Sequence, residues 1–483
     1  VQTKRDQVQA HMFVMGRLTS AMLRADPDAP ESPQGRTNRA VTISILIAIL
    51  LLAGSFVFGL LKPGTKSSWR DPGTLVVNKE TGTHYMYLGG RLRPVRNYTS
   101  AKLLAGDRMR VMTIGSKSLR GTPHGSPVGI PGAPDEPPGN DKLTSDPWQV
   151  CSGNSGGATG TTVAVGAKAD GAGLKSGQGL LVTGPDKDDY LVWQGRRLRI
   201  DRKANAAEAL GYGSTTPVRV SAAFLNSLPA GPDLTPPDVP GRGGQGPALG
   251  GLQTRIGQVF KVAAPGGTAR YYLLRKEGLA PLTATGAALA LGDPDTKLKA
   301  YPGGVVSAAS LGADALSGHL APDTPETETA RRQPATPPEP VDLGAGRTPC
   351  VGVESGSDGT RVSVALIRDQ DLGPTAQAPP DGLVPACVTV NRITVRPGGG
   401  ALVHVLGAGG GEVGDTLYLV TDTGMKYRLP AADSLKALGY GEGEAQALPS
   451  ALLAMLPTGP DLTPQAASAG RGKSSAPHCE TKN

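Results

Sequence analysis

The amino-acid sequence predicts a single-pass membrane protein. It has an N-terminal amphipathic helix on the cytoplasmic side, one transmembrane helix, and an α+β ectodomain of helix-bearing repeats with a propeller-like plan. Three observations carry this expectation. An uncharged run of 22 residues lies near the N-terminus. Beyond it, short phrases recur at a constant offset, and all four cysteines follow the same run. Composition sets the outer bounds. The 483 residues include 68 glycines and 43 prolines, together about 23%, under the ~25–30% at which low-complexity chains are expected. The length suffices for two to four domain-sized units with real cores. Only 3 Trp, 11 Tyr and 5 Phe are present, which disfavours base-stacking surfaces and a large aromatic cofactor pocket.

The formal charge of +8 is unevenly placed. Residues 1–70 hold nine basic and four acidic side chains, so most of the excess lies in a seventh of the chain. A nucleic-acid partner therefore has little support. The run 40–61, AVTISILIAILLLAGSFVFGLL, explains the placement. As a helix it reaches about 33 Å, against a hydrocarbon core of roughly 30 Å. A buried soluble helix of this length would carry a polar stripe. A cleaved signal peptide fits badly, because a 39-residue arm precedes the run and no A-x-A site follows. Arg36 and Arg39 precede it, while Lys62, Lys66 and Arg70 follow, a modest bias towards a cytoplasmic N-terminus. In the arm, 1–39, Val8, Met12, Met15, Leu18 and Met22 recur at helical spacing until Asp26-Pro27-Asp28-Ala29-Pro30 stops the pattern. Arg5, His11, Met12, Arg17 and Leu18 are the candidate docking residues.

Internal duplication dominates the remainder. Ala209-Leu-Gly-Tyr-Gly213 returns as Ala437-Leu-Gly-Tyr-Gly441, and Leu228-Pro-Ala-Gly-Pro-Asp-Leu-Thr-Pro236 as Leu456-Pro-Thr-Gly-Pro-Asp-Leu-Thr-Pro464. Tyr190-Leu-Val192 returns at Tyr418-Leu-Val420, all with an offset of 228. A fainter pair joins 82–95 to 267–282, each followed by a helical stretch, Asn97–Leu104 or Ala284–Leu291. A third pair joins Cys151 and its Thr-Val run to Cys350 and its own. The chain thus divides into repeat A (70–120), β segment C (148–182) and repeat B (183–240), then A′ (252–300), C′ (345–405), B′ (406–465) and a flexible tail (466–483). Stretches 236–251 and 321–349 are expected as linkers. Repeats this small cannot bury their own apolar faces, which favours a shared shell.

All four cysteines follow the anchor, in a compartment that permits disulfides. None forms a C-x-x-C, and no histidine stands at ligand spacing except His478 beside Cys479, so no metal is expected. Four cysteines allow three pairings. Cys151 and Cys350 hold equivalent repeat positions and are expected to crosslink the halves; Cys387 with Cys479, or a free Cys479, stays open.

Three motifs fail on context. Gly153-Asn-Ser-Gly-Gly157 has the look of a serine-protease nucleophile loop, but too little chain precedes Ser155 for a barrel holding its histidine, so a flexible loop is expected. Ala467 to Ser474 departs from the phosphate-loop pattern at its first position and sits in a tail. Gly241-Arg-Gly-Gly-Gln-Gly246 has dinucleotide-loop spacing but lies between Pro240 and Pro247, and both stretches are expected to be unstructured. No catalytic or cofactor residues remain.

Taken together, these residues resemble a known family. Arg5-Asp-Gln-Val-Gln-Ala-His11, the break at 25–30, Trp69-Arg-Asp-Pro-Gly73, Gly90-Arg-Leu-Arg-Pro-Val-Arg-Asn-Tyr98 and the two Gly-Pro-Asp-Leu-Thr-Pro signatures are similar to those of EccB, a membrane component of actinobacterial type VII (ESX) secretion systems. The resemblance runs from about residue 4 to 465. It implies a structural subunit of the inner-membrane core, assembled with the EccC ATPase and the EccD and EccE membrane subunits. It further implies four repeats around a central β domain, self-association through that ectodomain, and a disulfide at Cys151 and Cys350, with Cys387 and Cys479 as extras. ATPase activity has been proposed in the family, but no usable nucleotide motif stands in this chain. A second reading is an independent, peptidoglycan-binding envelope protein, which the lack of exposed aromatic pairs disfavours.

Overall fold

The computed structural model describes residues 3–24, 33–61, 67–155, 158–167, 171–263, 267–323, 328–329, 331–356, 359–373, 375–376, 383–407, 411–475 and 479. The break at 25–30, Lys62, Lys66, Gly156, Gly157 and His478 lie outside them. Two long helices come first: α1 (Lys4–Arg24) and α2 (Pro33–Leu61). The spanning helix was expected from residue 40. It starts earlier because Pro33 suits a first helical turn and nothing in Gly35–Arg39 breaks the backbone ladder. Its apolar stretch, Thr37–Phe58, is unburied by any other part of the chain, as lipid-facing side chains require.

Four sheets then follow one plan. In repeat A, β1 (Thr74–Asn78), β2 (His84–Leu88) and β3 (Arg91–Pro94) form an antiparallel meander. Gly89 and Gly90, both at positive φ, supply the tight turn between β2 and β3. A helix, Tyr98–Ala105, then crosses back so that β4 (Arg110–Ile114) lies parallel to β1, in the order β3-β2-β1-β4. A parallel return needs such a crossover. The helix starts where expected, with Asn97 accepting from the Ser100 amide at 3.0 Å.

Repeat B repeats that order with β8 (Gln178–Thr183), β9 (Asp189–Trp193), β10 (Arg196–Arg199) and β11 (Val218–Arg219). Repeat A′ does so with β12 (Val259–Val262), β13 (Arg270–Arg275), β14 (Gly278–Leu282) and β15 (Ala309–Ser310). Repeat B′ uses β20 (Gly400–Leu406), β21 (Glu412–Thr421), β22 (Lys426–Leu429) and β23 (Gln446–Pro449).

The fifth sheet unites both halves. It contains β5 (Trp148–Ser155), β6 (Ala158–Ala164), β7 (Ala172–Gly173), β17 (Arg347–Gly356), β18 (Gly359–Arg368) and β19 (Arg392–Thr394), in the order β19-β6-β5-β17-β18-β7. One face carries Trp148, Val150, Val351 and Val353 into a core shared with Phe224 of repeat B and Leu448 and Leu452 of repeat B′. The alternate residues Cys151 and Cys350 point to the other face, beside Ala164 and Ile367.

Several expectations need correction. The strands at 178–183 and 400–406 were read into segments C and C′, yet they are the central strands of repeats B and B′. A buried apolar run such as Gly179-Leu-Leu-Val182 marks a strand without saying which sheet receives it. Repeat A′ extends past 300 to include β15. The stretch 236–251 is no free linker, because Val239 and Leu249 enter the A′ core. Within it, the Gly243 and Gly246 amides donate to the Ile256 and Thr254 carbonyls, and Arg242 pairs with Asp293. In 321–349, β16 (Glu339–Pro340) adds to β8. Ser155 ends β5 and is not in a flexible loop. The tail is folded through 475, beginning with a helix at Pro464–Ala469.

The Cys151–Cys350 bond closes a 199-residue separation. Chain entropy for that loop gives about 5 kcal/mol of stabilisation. A Cys151→Ser/Cys350→Ser variant is expected to lose stability of that order in urea titration, with Cys387–Cys479 retained; an unchanged midpoint would contradict it.

Candidate functional site: the crosslinked shell and its helical arm

The two halves meet where β5 and β17 run antiparallel, with Cys151 directly opposite Cys350 and Val150 opposite Val351. Their Cα atoms lie 4.0 Å apart, and both side chains are fully buried. The bond therefore sits on the pseudo-twofold axis relating A–C–B to A′–C′–B′.

Around this axis the repeats neighbour one another crosswise. The Tyr98–Ala105 helix of A packs on the Ala432–Leu438 helix of B′. The Ala284–Gly292 helix of A′ packs on Ala206–Ala209 of B, so closely that a Cβ on Gly292 would lie 2.2 Å from Ala209 Cβ. Each seam is also crossed by a proline-bearing strap. The Tyr440 hydroxyl donates to the Pro138 carbonyl at 2.6 Å, and the Tyr212 hydroxyl donates to the Pro338 carbonyl at 2.8 Å. Burial pushes both phenols well above their ordinary pKa, so both remain donors. The straps then run beside the first strand of the B-type repeat, where only glycine leaves room. A Cβ on Gly400 would meet Pro138 at 2.8 Å, and one on Gly179 would meet Pro338 at 3.3 Å. The tyrosines belong to the recurring Ala-Leu-Gly-Tyr-Gly phrase, but their proline partners are visible only in the fold.

The Gly-Pro-Asp-Leu signature is explained by the outer strand it lies against. The Gly231 and Leu234 amides donate to the Arg197 and Arg199 carbonyls, and Gly459 and Leu462 do the same to Lys426 and Arg428. Asp233 pairs with Arg199 at 2.8 Å, and Asp461 with Arg428 at 3.4 Å. Leu234 and Leu462 are fully buried. A Cβ on Gly459 would stand 2.3 Å from the Tyr427 ring. The glycine, aspartate and leucine of the phrase thus each have a steric or electrostatic reason.

One buried cation escaped the sequence reading. Lys426, 2% exposed, donates to the Leu453 carbonyl and, at 2.9 Å, to the Leu456 carbonyl. Burial depresses its pKa to about 8. An isolated lysine in a strand of ordinary alternation gives no signal of this in the sequence.

The arm is the other half of the site. Along α1, at about 100° per residue, His11, Met12 and Leu18 fall on one stripe with Val8, Met15 and Met22, and Arg5 stands at its edge. Arg17, five residues past Met12, lies about 140° away and does not join them. Met12, Leu18 and Met22 are 71%, 53% and 83% exposed. Phe13, which the five-member stripe omitted, is 69% exposed on the far side. The arm therefore offers apolar surface on more than one face.

Chemistry beyond assembly is sparse. Among the described residues no group of three His, Cys, Asp or Glu side chains could hold a metal. In 467–474 the glycines end a helix: the Gly470 and Arg471 amides donate back to Ala467 and Ala466. A phosphate cradle needs amides at a helix start. Two open clefts of about 450 and 460 Å³ lie at equivalent places, between 141–146 and 395–400 and between 341–347 and 173–178.

Two expected outcomes follow from this geometry. Tyr212→Phe or Tyr440→Phe leaves a buried carbonyl without its donor and should each cost about 1 kcal/mol in denaturant unfolding, the double variant about twice that. For Lys426 the folded pKa lies below the unfolded value, so the unfolded chain holds a proton that the folded one has shed between pH 8 and 10.5. Stability therefore rises with pH across that window, by at most about 3 kcal/mol because the two carbonyls oppose the shift. Melting curves from pH 7 to 10 should show the rise in the wild type and its loss in Lys426→Met.

Over residues 1–475 the chain matches the family described as "Type VII secretion system ESX-1, transport TM domain B". It is 30% identical over 477 residues to "ESX-3 secretion system ATPase EccB3" of Mycolicibacterium smegmatis, covering 95% of this chain and 89% of that one. It is 28% identical to "ESX-2 secretion system ATPase EccB2" of Mycobacterium tuberculosis, covering 96% and 94%. In fold it is similar to a chain of an EccB3 dimer from the ESX-3 core complex, with TM-score 0.65, 24% identity and coverage of 82% and 99%. It is also similar to a chain of an intact ESX-5 inner membrane complex, with TM-score 0.64, 23% identity and coverage of 100% and 98%. With one apolar helix near the N-terminus and a largely β remainder closed by a crosslink, this chain belongs to the EccB family of type VII secretion systems.

Proposed function

We propose that this protein is a structural scaffold subunit of a type VII secretion inner-membrane core, supporting protein export across the cell membrane. The observation that carries the reading is the family match along the whole chain, from the arm through the anchor to the last repeat. In this reading α2 crosses the membrane once, α1 stays in the cytoplasm, and the disulfide-bearing repeats lie outside, where oxidation is permitted. The exposed apolar stripe of α1 docks on cytosolic or membrane partners, with Arg5, His11, Met12 and Leu18 at the contact and Arg17 on the opposite side. The partners are an EccC-type ATPase and EccD- and EccE-type membrane subunits, and the ectodomain associates with further copies of itself. Repeats A, B, A′ and B′ act as one propeller-like shell around the central sheet.

The scaffold is proposed to be non-enzymatic, although relatives carry the word ATPase in their names. Support comes from the two glycine motifs. One closes a helix, and the other is packed between the A′ core and Asp293. Neither stands at the start of a helix, where a phosphate cradle needs its amides.

Tagged protein extracted from its own membranes in mild detergent is expected to bring down an ATPase motor and polytopic subunits. Recovery as a lone monomer would overturn the scaffold reading. A Met12→Asp/Leu18→Asp pair is expected to remain membrane-inserted yet lose at least part of that company.

A further inference from the structure

The two disulfides differ in surroundings. Cys151–Cys350 is fully buried on the axis of the central sheet. Cys387–Cys479 joins two exposed residues, one in the loop between β18 and β19 and one ten residues beyond the Pro464–Ala469 helix. Between its two ends runs 464–475, which makes contacts across the seam of repeats A and B′. The Pro464–Ala469 helix packs on the Tyr98–Ala105 helix of A. The Gly129 amide of the A strap donates to the Ala467 carbonyl at 2.8 Å. Gly472 passes so near the A strap and the B′ signature that a Cβ would lie 3.1 Å from both the Pro131 carbonyl and Pro460. The Asp461 amide donates to the Lys473 carbonyl at 2.8 Å, and Ser475 donates back to the Asp461 carboxylate from its hydroxyl at 2.9 Å. The Cys387 loop is itself tied to the signature, since Val384 and Thr458 exchange backbone hydrogen bonds.

The equivalent A′–B seam carries a strap and a tyrosine, but the chain that follows Asp233 there leads on into repeat A′. The A–B′ seam is spanned by 464–475, in the stretch that Cys387–Cys479 closes.

We propose that Cys387–Cys479 is a reducible latch on this seam: it holds 464–475 across repeats A and B′, and a dithiol opens it while Cys151–Cys350 stays closed. A reductant thiolate attacks one sulfur of the exposed bond, forming a mixed disulfide and expelling the other cysteine as a thiolate. The second thiol of the reductant resolves the mixed disulfide. The reductant leaves as its own disulfide, and its two protons end on Cys387 and Cys479. Exchange depends on access to sulfur, which the outer bond has and the inner bond lacks. Once open, the tail is held only by its hydrogen bonds and helix packing, so the seam frays at lower cost.

The test uses the full chain in detergent micelles under native conditions. It is treated with stepwise dithiothreitol, alkylated, mapped by mass spectrometry and followed by amide hydrogen exchange. Cys387 and Cys479 are expected to be alkylated at roughly tenfold lower reductant than Cys151 and Cys350. In that window the Gly129, Asp461 and Ser475 amides should exchange roughly tenfold faster, while the central β5–β17 amides stay protected. Cys387→Ser/Cys479→Ser should show the fast exchange without reductant. Simultaneous opening of both bonds, or unchanged exchange at the three seam amides once the outer bond is open, overturns the proposal.

Discussion

The antiparallel pairing of β5 with β17 is the constraint on which the rest of the ectodomain depends. It joins the two halves at the middle of the central sheet, and it places Cys151 opposite Cys350 on the symmetry axis. From that pairing β6 and β18 extend outward, and the far strands are exchanged: β19 of the second half adds to β6, and β7 of the first adds to β18. The inner face of the same sheet carries the core that seats repeats B and B′. Loss of register here by one residue would move Trp148 and Val150 out of that core and the cysteines into it.

Given the axis, the crosswise arrangement of the repeats follows from small-residue packing and straps. Repeat A lies against B′ and A′ against B, each through a helix pair and a proline segment anchored by a buried tyrosine. The high glycine and proline content, which bordered on a disordered composition, is spent largely here. Gly179, Gly400 and Gly292 permit backbones to touch, and Pro138 and Pro338 present carbonyls that no strand competes for. A scaffold of this kind is stiffened by backbone contact more than by bulky aromatics, in keeping with 3 Trp and 5 Phe in the chain.

How much of this was legible depended on range. The Gly-Pro-Asp-Leu signature was found by its repetition, and its reason, a rung against the outer strand plus an Arg–Asp pair, lies within 35 residues of sequence. The cysteine pairing was legible because equivalent positions on a pseudo-twofold are natural neighbours. By contrast, the strands at 178–183 and 400–406 were given to the wrong sheet, 236–251 and 339–340 to linkers, and 466–475 to a flexible tail. For 339–340 and the tail the partner lies in another repeat, β8 of B and the Tyr98–Ala105 helix of A, and local propensity carries no mark of it. Arg17 stands among the candidate docking residues with Met12 and Leu18, and on a continuous helix it lies about 140° from Met12, away from the apolar stripe.

The sequence by itself determined the elements whose cause is local. These are the anchor, since an uncharged 22-residue run must satisfy its backbone within one helix, the helix start at Asn97, and the repeat phrases. Tertiary structure alone decided which repeats are neighbours and what closes them. The Tyr440–Pro138 bond spans 302 residues, the buried Lys426 finds carbonyls 27 and 30 residues later, and Cys479 finds Cys387 across 92. Contacts of that separation depend on the whole packed shell, and a period in the sequence records only the parts that were copied, not the order in which they meet.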